Sequence, residues 1–188
     1  MDVKAAIQAR RAYRSLSPVA ITDDLVDDLA QSAQLFCSCF NNQPWRFVFV
    51  YDEEMLARMH EALLSGNEWA RAASMIIAVF SKPELDCMIR ERKYYFFDTG
   101  MGTAALILRA TELGLVAHPI AGFSPKKTKE ILHIPEDMEV ITLVIVGKHS
   151  DSISPVLSDK QIAAEKARPE RLPLSKLIHR NYFKEEGG

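Results

Sequence analysis

Two short apolar runs, Ala72–Phe80 and Val140–Val146, constrain this chain more than anything else in it. Each falls well short of the roughly 18 residues that a membrane-crossing helix needs. Inside the first, Met75–Phe80 is continuously apolar and stops at Lys82-Pro83; the second is closed by Gly147. A run of that length between turn residues reads as a strand buried on both faces. Such strands have to be covered by other layers, and the rest of the chain supplies helical patterns to cover them.

Val3–Arg11 is amphipathic, with Val3, Ala6 and Ile7 on one face. Ser17-Pro18 makes Arg14–Ile21 a connector. Thr22 is placed to cap a helix that carries Leu25, Leu29 and Ala33 and ends near Phe36. Arg46–Tyr51 is β-rich and reads as a buried strand. Asp52 caps a helix through Leu63, broken by Gly66-Asn67. Tyr94–Leu113 is the longest helical pattern, and Gly114 stops it. Gly100 and Gly102 lie in its interior, where each costs about 1 kcal/mol against Ala, which suggests close approach by another backbone or a flat ligand. Leu115–Ile120 is a short strand, and Ser124-Pro125 opens a helix through Leu132. From His149 onward the chain turns polar and Pro-containing and reads as an extended arm, with Leu172, Leu174, Leu177 and Ile178 to dock it. Helices among about four strands make an α+β or α/β three-layer domain, and 188 residues suit one folding unit.

Charge narrows the function. Lys plus Arg number 23 and Asp plus Glu 25, a net charge of -2. That balance gives no bulk attraction to nucleic acid or to an anionic membrane. Cys37, Cys39 and Cys87 are too few and too oddly spaced for a disulfide framework, and Cys-x-Cys alone is a poor metal signal. The start has no apolar signal-peptide core. The expectation is a soluble protein of the reducing cytoplasm without a metal. No zincin spacing, Walker loop or Gly-x-Gly-x-x-Gly after a strand is present.

Four segments carry possible chemistry. Arg10-Arg11-Ala12-Tyr13-Arg14 puts three guanidinium groups within five residues, suited to phosphate or to a helix C-terminus. The stretch Cys37–Phe47 is a polar loop whose amides fit a heterocycle edge or their own backbone; Gln43, before Pro44, is expected extended, and Trp45 is a core anchor. Ala121-Gly122-Phe123 follows a strand, and Gly122 can bring backbone N–H groups close to a ligand. Arg168–Leu174 holds two prolines that present Arg171 from an extended arm.

In this order the segments resemble the nitroreductase family of FMN-dependent oxidoreductases. The resemblance runs from Ile7–Arg14 through Asn41–Phe47, Asp98–Ala105, Leu113-Gly114-Leu115 and Ala121-Gly122-Phe123 to Arg171–Leu174. It implies an α+β sandwich, a mostly antiparallel sheet flanked by helices, over residues 1–188. It further implies a homodimer with two FMN sites between subunits and a C-terminal extension, about 150–188, packing on the partner.

By position, Arg10 and Arg171 would hold the FMN phosphate, with Arg168 nearby and Arg11 and Ala12 in the same segment. Arg14 would face the pyrimidine edge of the flavin. Ser38, Cys39 and Asn41 would come from the other subunit, Gln43 would also bind the cofactor, and the backbone of Ala121 and Gly122 would lie near N5 and O4. Phe40 and Phe123 would shape an acceptor cavity. Ala12 stands where the family often has Ser, and Ala121 where it often has Glu. The implied reaction is ping-pong hydride transfer from NAD(P)H through FMN N5 to a nitroaromatic, quinone or similar small acceptor, with no protein general acid named. A reductive dehalogenase-like enzyme and a non-catalytic flavin-binding or sensor protein are the alternatives.

Overall fold

A computed structural model describes residues 1–183. Its main sheet has five strands, β1 (Leu16–Ser17), β2 (Arg46–Val50), β3 (Met75–Ser81), β6 (Val116–Ile120) and β7 (Glu139–His149). β4 (Met88–Ile89) and β5 (Arg92–Lys93) form a separate small hairpin. Every pairing is antiparallel. β7 lies beside β3 along one edge, and along the other it pairs first with β6 and then, past Gly147, with β1. Among the described residues β2 pairs only with β3 and forms the sheet's free edge.

The alternation of side chains along β3 builds two cores. Ile76, Ala78 and Phe80 point to one face with Leu143 and Ile145 of β7; Met75, Ile77 and Val79 point to the other with Val144 and Val146. A register shift between Val79 and Phe80 moves Val140 onto the same face as Leu143. The first face is covered by α3 (Glu53–Met59), α5 (Pro125–Leu132) and the turn around Trp69. The second is covered by α2 (Asp23–Gln34) and α4 (Tyr94–Glu112). The result is the expected α+β sandwich, an antiparallel sheet between helices.

Side-chain caps set several helix starts. Thr22 accepts from Leu25 N–H, Asp52 from Met55 N–H and Ser124 from Lys127 N–H. α1 (Val3–Ala9) ends two residues before the sequence pattern did, so Arg10–Arg14 is not helical. β2 is a half-buried edge strand, not a buried one, because nothing pairs beyond it. Gly147 does not close the last strand, which runs on to His149. The helix after Asp52 ends at Met59 and passes into a 3-10 turn, His60–Ala62. The arm contains α6 (Asp159–Lys166), opened by a capping box between Ser158 and Gln161. Beyond Arg168 the apolar residues Leu172, Leu174, Leu177 and Ile178 are all exposed on this chain.

The two glycines of α4 differ. A Cβ on Gly102 would sit 3.0 Å from Cε3 of Trp45 and 3.5 Å from the carbonyl of Ala33 in α2. Gly102 is thus the close approach, made by a core indole and a neighbouring helix. Gly100 has nothing within 4 Å in this chain. Gly102→Ala should therefore be less stable than Gly100→Ala by about 1–3 kcal/mol in denaturant titrations, since both gain helix propensity and only one overpacks.

Candidate functional site

Arg10, Arg11, Ala12 and Arg14 meet Ala164, Arg168, Pro169 and Arg171 around a cavity of about 180 Å³. Two segments at least 150 positions apart thus converge, and no carboxylate is among the lining residues. The Arg10 guanidinium is held below its usual range, first by burial and then by the charges of Arg168 and Arg171. Like charges brought together without a counter-ion are costly, and an anion in the cavity would relieve that cost.

Backbone carbonyls and one buried acid hold the arginines in place. Arg168 Nη2 donates to the carbonyls of Gln8, at 2.5 Å, and Arg10, at 2.9 Å, tying the arm to the end of α1. Arg11 Nη2 donates to the carbonyls of Ala164, at 2.6 Å, and Glu165, at 3.2 Å, in the last turn of α6. Arg11 also lies over the ring of Tyr13, which stacks on His149. Arg11 is therefore a bracket between α6 and this segment. Glu165 is buried, and its carboxylate accepts from Arg14 N–H at 2.7 Å and Ser15 N–H at 3.2 Å. Arg171 Nη1 donates a long hydrogen bond, 3.5 Å, to the carbonyl of Pro169.

Beneath Arg14 lies an aromatic stack. Its guanidinium is 5.8 Å from the Trp69 ring centroid, and Trp69 stacks on His118 at 4.7 Å. His118 Nδ1 lies 3.1 Å from the Tyr13 carbonyl. Burial, against that hydrogen bond and with Arg14 and Arg10 nearby, pushes His118 down to about 4. It is therefore a neutral imidazole that donates to Tyr13.

The other anticipated residues lie outside this cavity. Ser38 Oγ accepts from Gln43 N–H at 2.9 Å, and Asn41 is exposed. Gln43 is not extended as Pro44 would favour; its φ is +50°, stabilised by the Ser38 contact and by Arg46 Nη1 donating to its carbonyl. Cys39 is bonded to Cys87, so two of the three cysteines pair where the sequence showed no framework. Ala121 is exposed, and the Gly122 carbonyl accepts from Asn67 Nδ2 and Leu64 N–H. A Cβ at Gly122 would meet Asn67 Nδ2 at 2.1 Å, so a side chain there would displace the Asn67 amide. Phe123 is buried in the core, whereas Phe40 is exposed.

A profile of the nitroreductase family matches residues 7–73 and 63–148. The chain belongs to the nitroreductase family. A provisionally named NADH dehydrogenase/NAD(P)H nitroreductase of Archaeoglobus fulgidus is 30% identical over 175 residues, covering 88% of this chain and 93% of that protein. An iodotyrosine deiodinase of Haliscomenobacter hydrossis is 27% identical over 185 residues, 82% of this chain and 83% of its own. Among solved structures, an oxidoreductase containing FMN superposes with a TM-score of 0.85 at 26% identity, covering 98% of this chain and 94% of that one.

Glu165, Tyr13, His118, His149 and Trp69 were not singled out by sequence. The Ser158–Gln161 capping box was the available signal for α6 and hence for Glu165. Glu165→Ala leaves two backbone N–H groups without their acceptor, one on buried Ser15, and should cost about 2–4 kcal/mol in chemical denaturation. His118 gives a pH signature. An unfolded imidazole protonates near 6.5, well above the folded value of about 4. Between these values the unfolded chain binds more protons, so stability rises with pH. The contribution is complete above about 6.5 and is lost as pH falls through about 4. Unfolding curves from pH 7 to 4 should show a shallower acid loss in His118→Phe than in the parent.

Proposed function

We propose that this chain is an FMN-dependent NAD(P)H oxidoreductase whose cofactor phosphate sits in the arginine cavity. The observation that carries the reading is the convergence of Arg10, Arg14, Arg168 and Arg171 with no carboxylate among the lining residues. Guanidinium groups suit a phosphate dianion through charge-assisted, bidentate hydrogen bonds. The cofactor of the FMN-containing structural relative supports the choice of anion.

Arg10 and Arg171 are the phosphate ligands, because the contacts of Arg11 and Arg168 with backbone carbonyls already engage those two groups. Arg168 adds charge from one side while keeping the arm in place. Arg14, fixed through its backbone by Glu165, faces the pyrimidine edge of the flavin, where a cation favours the reduced, anionic ring. Ala12 offers no hydroxyl, and the neighbouring arginines carry that part of the site. FMN held there would supply hydride chemistry between NAD(P)H and a nitroaromatic, quinone or similar small acceptor. The protein's part is to hold the phosphate, set the charge at the ring edge and exclude water.

The cavity also supports a homodimer. Its 180 Å³ suits a phosphate group, whereas pockets for whole ligands run to roughly 300–1,000 Å³. The ring needs walls that these lining residues do not provide, and Ser38, Cys39, Asn41 and Gln43 of a second copy supply them, with the backbone of Ala121 and Gly122 at N5 and O4. The exposed leucines of the arm need a cover. The free edge of β2, beside an apolar groove of about 350 Å³ lined by Val48, Val50, Met55 and Ile131, is a surface such an arm can occupy. We assign the whole chain to one FMN-binding domain acting in the cytoplasm; no helix among the described residues is long and apolar enough to cross a membrane.

The deiodinase relative favours one second reading, reductive dehalogenation on the same scaffold. Steady-state NADH and NADPH oxidation with a nitrofuran, a quinone and a halogenated phenol separates the readings. Turnover of the first two supports the proposal, turnover of the third alone supports dehalogenation, and a flavin that no pyridine nucleotide bleaches leaves a binding protein. Arg171→Ala should weaken FMN by about 10- to 150-fold, the loss of one charged contact of about 1.5–3 kcal/mol, with little change in apo-protein stability. Unchanged affinity in a fluorescence titration would remove Arg171 from the site.

A further inference from the structure

We propose that Cys39 and Cys87 form a reversible thiol–disulfide centre, reduced by an external dithiol, with the buried carboxyl pair Asp86 and Asp98 as its proton store. The bridge joins the 3-10 turn Cys39–Asn41 to the segment just before β4. It therefore fastens the polar loop of residues 37–43 to a different part of the chain, 48 positions away.

The surroundings are unusual for a bridge that only staples. Asp86 and Asp98 are both more than nine-tenths buried. Each spends one oxygen on a cysteine backbone: Cys39 N–H donates to Asp98 Oδ2 at 2.6 Å, and Cys87 N–H to Asp86 Oδ1 at 2.7 Å. The other oxygens, Asp98 Oδ1 and Asp86 Oδ2, are buried without a hydrogen-bond partner. A carboxylate oxygen of Asp86 and the two sulfurs all lie within 4.8 Å of one another. Asn42 Nδ2 lies 3.5 Å from both Asp86 Oδ1 and Cys87 Sγ. Burial, and after it the neighbouring Asp86, raises Asp98 and so favours its protonated form. A bridge that only staples needs no acid beside it, and two buried carboxyls that face each other cost free energy. Reduction places two S–H groups within 4.8 Å of a carboxylate oxygen of Asp86.

Cys39 is the more exposed sulfur, and Cys87 is buried. A thiolate of the reductant attacks Cys39 Sγ, forming a mixed disulfide and breaking the Cys39–Cys87 bond. Cys87 leaves as thiolate and takes the proton held by Asp86 and Asp98. The reductant's second thiol then gives a proton back to the carboxyl pair and, as thiolate, attacks its own sulfur in the mixed disulfide. Cys39 departs and is protonated by the proton lost when the first reductant thiol ionised. Two electrons pass from the dithiol, which becomes a disulfide, and the protein gains two thiols. Disulfides of reducing compartments are characteristically transient and redox-sensing or catalytic, in keeping with this use.

The test counts thiols in the native protein. The oxidised chain should show one reactive thiol, Cys37, and three after dithiothreitol in native buffer, returning to one with oxidised glutathione. Cys37→Ser should show none and two. Asp98→Asn, whose amide oxygen can still accept from Cys39 N–H, should re-form the bridge but be reduced at least tenfold more slowly; Asp86→Asn is the second variant should the first not fold. A bridge that opens only in denaturant, or three thiols that never pair under oxidant, would overturn the centre. An unchanged or faster reduction in the Asn variants would overturn the carboxyl pair's role. None of these readouts requires FMN, so they stand or fall apart from the proposed activity.

Discussion

β7 is the element on which the placement of everything else depends. It is flanked by β3 on one side and by β6 and β1 on the other, so one strand sets three registers. Its pairing with β3 seals both cores. Its pairing with β1 fixes the chain immediately after Arg14, through Leu16 opposite His149 and Ser17 opposite Lys148. Its pairing with β6 sets His118 opposite Ile145, which puts the imidazole under the Tyr13 carbonyl. A slip by one residue would turn every side chain to the wrong face, and both apolar cores forbid it. The arginine segment is thus anchored by the most heavily buried part of the molecule.

From that anchor the charge is organised with few ion pairs. Arg11 and Arg168 are held by carbonyl oxygens, and Glu165 meets backbone N–H groups of the segment. Carbonyl dipoles position a guanidinium without cancelling its charge, as a carboxylate would. This explains how a chain of net charge -2 can present a locally cationic cavity. The acidic excess lies elsewhere, for instance along α2, where Asp24, Asp27 and Asp28 line a different surface hollow.

Much of the fold was legible because its signals are local. The strand Met75–Ser81, the caps Thr22, Asp52 and Ser124, and the stop at Gly114 follow from apolar runs, short polar side chains and a positive φ of +77°. The misreadings arose where a distant partner decides. Gln43 takes a positive φ because Ser38 and Arg46 close a turn around it, against the preference that Pro44 imposes. β2 lies at an edge, which no property of Arg46–Val50 alone announces. Cys39 and Cys87 pair across 48 positions, and three cysteines cannot reveal that by spacing. The arginine segments were visible as segments. What held them, a glutamate on a helix within an apparently extended arm, was masked by Pro-containing flanks.

The uncompensated arginines also bear on how stability and binding are linked. Holding Arg10 near Arg168 and Arg171 raises the free energy of the empty site, and the folded chain carries that cost through its sheet and through α6. An anion that binds only the folded chain returns it. Such a ligand stabilises by RT ln(1 + [L]/Kd), about 2.7 kcal/mol at a hundredfold excess over Kd. The arm gains most, because Arg168 and Arg171 belong to it and its leucines have no cover on their own chain. Filling the cavity therefore favours the arm's packed position, in which Arg168 is already tied to the carbonyls of Gln8 and Arg10. Anion binding and arm docking are one coupled equilibrium, each lowering the cost of the other.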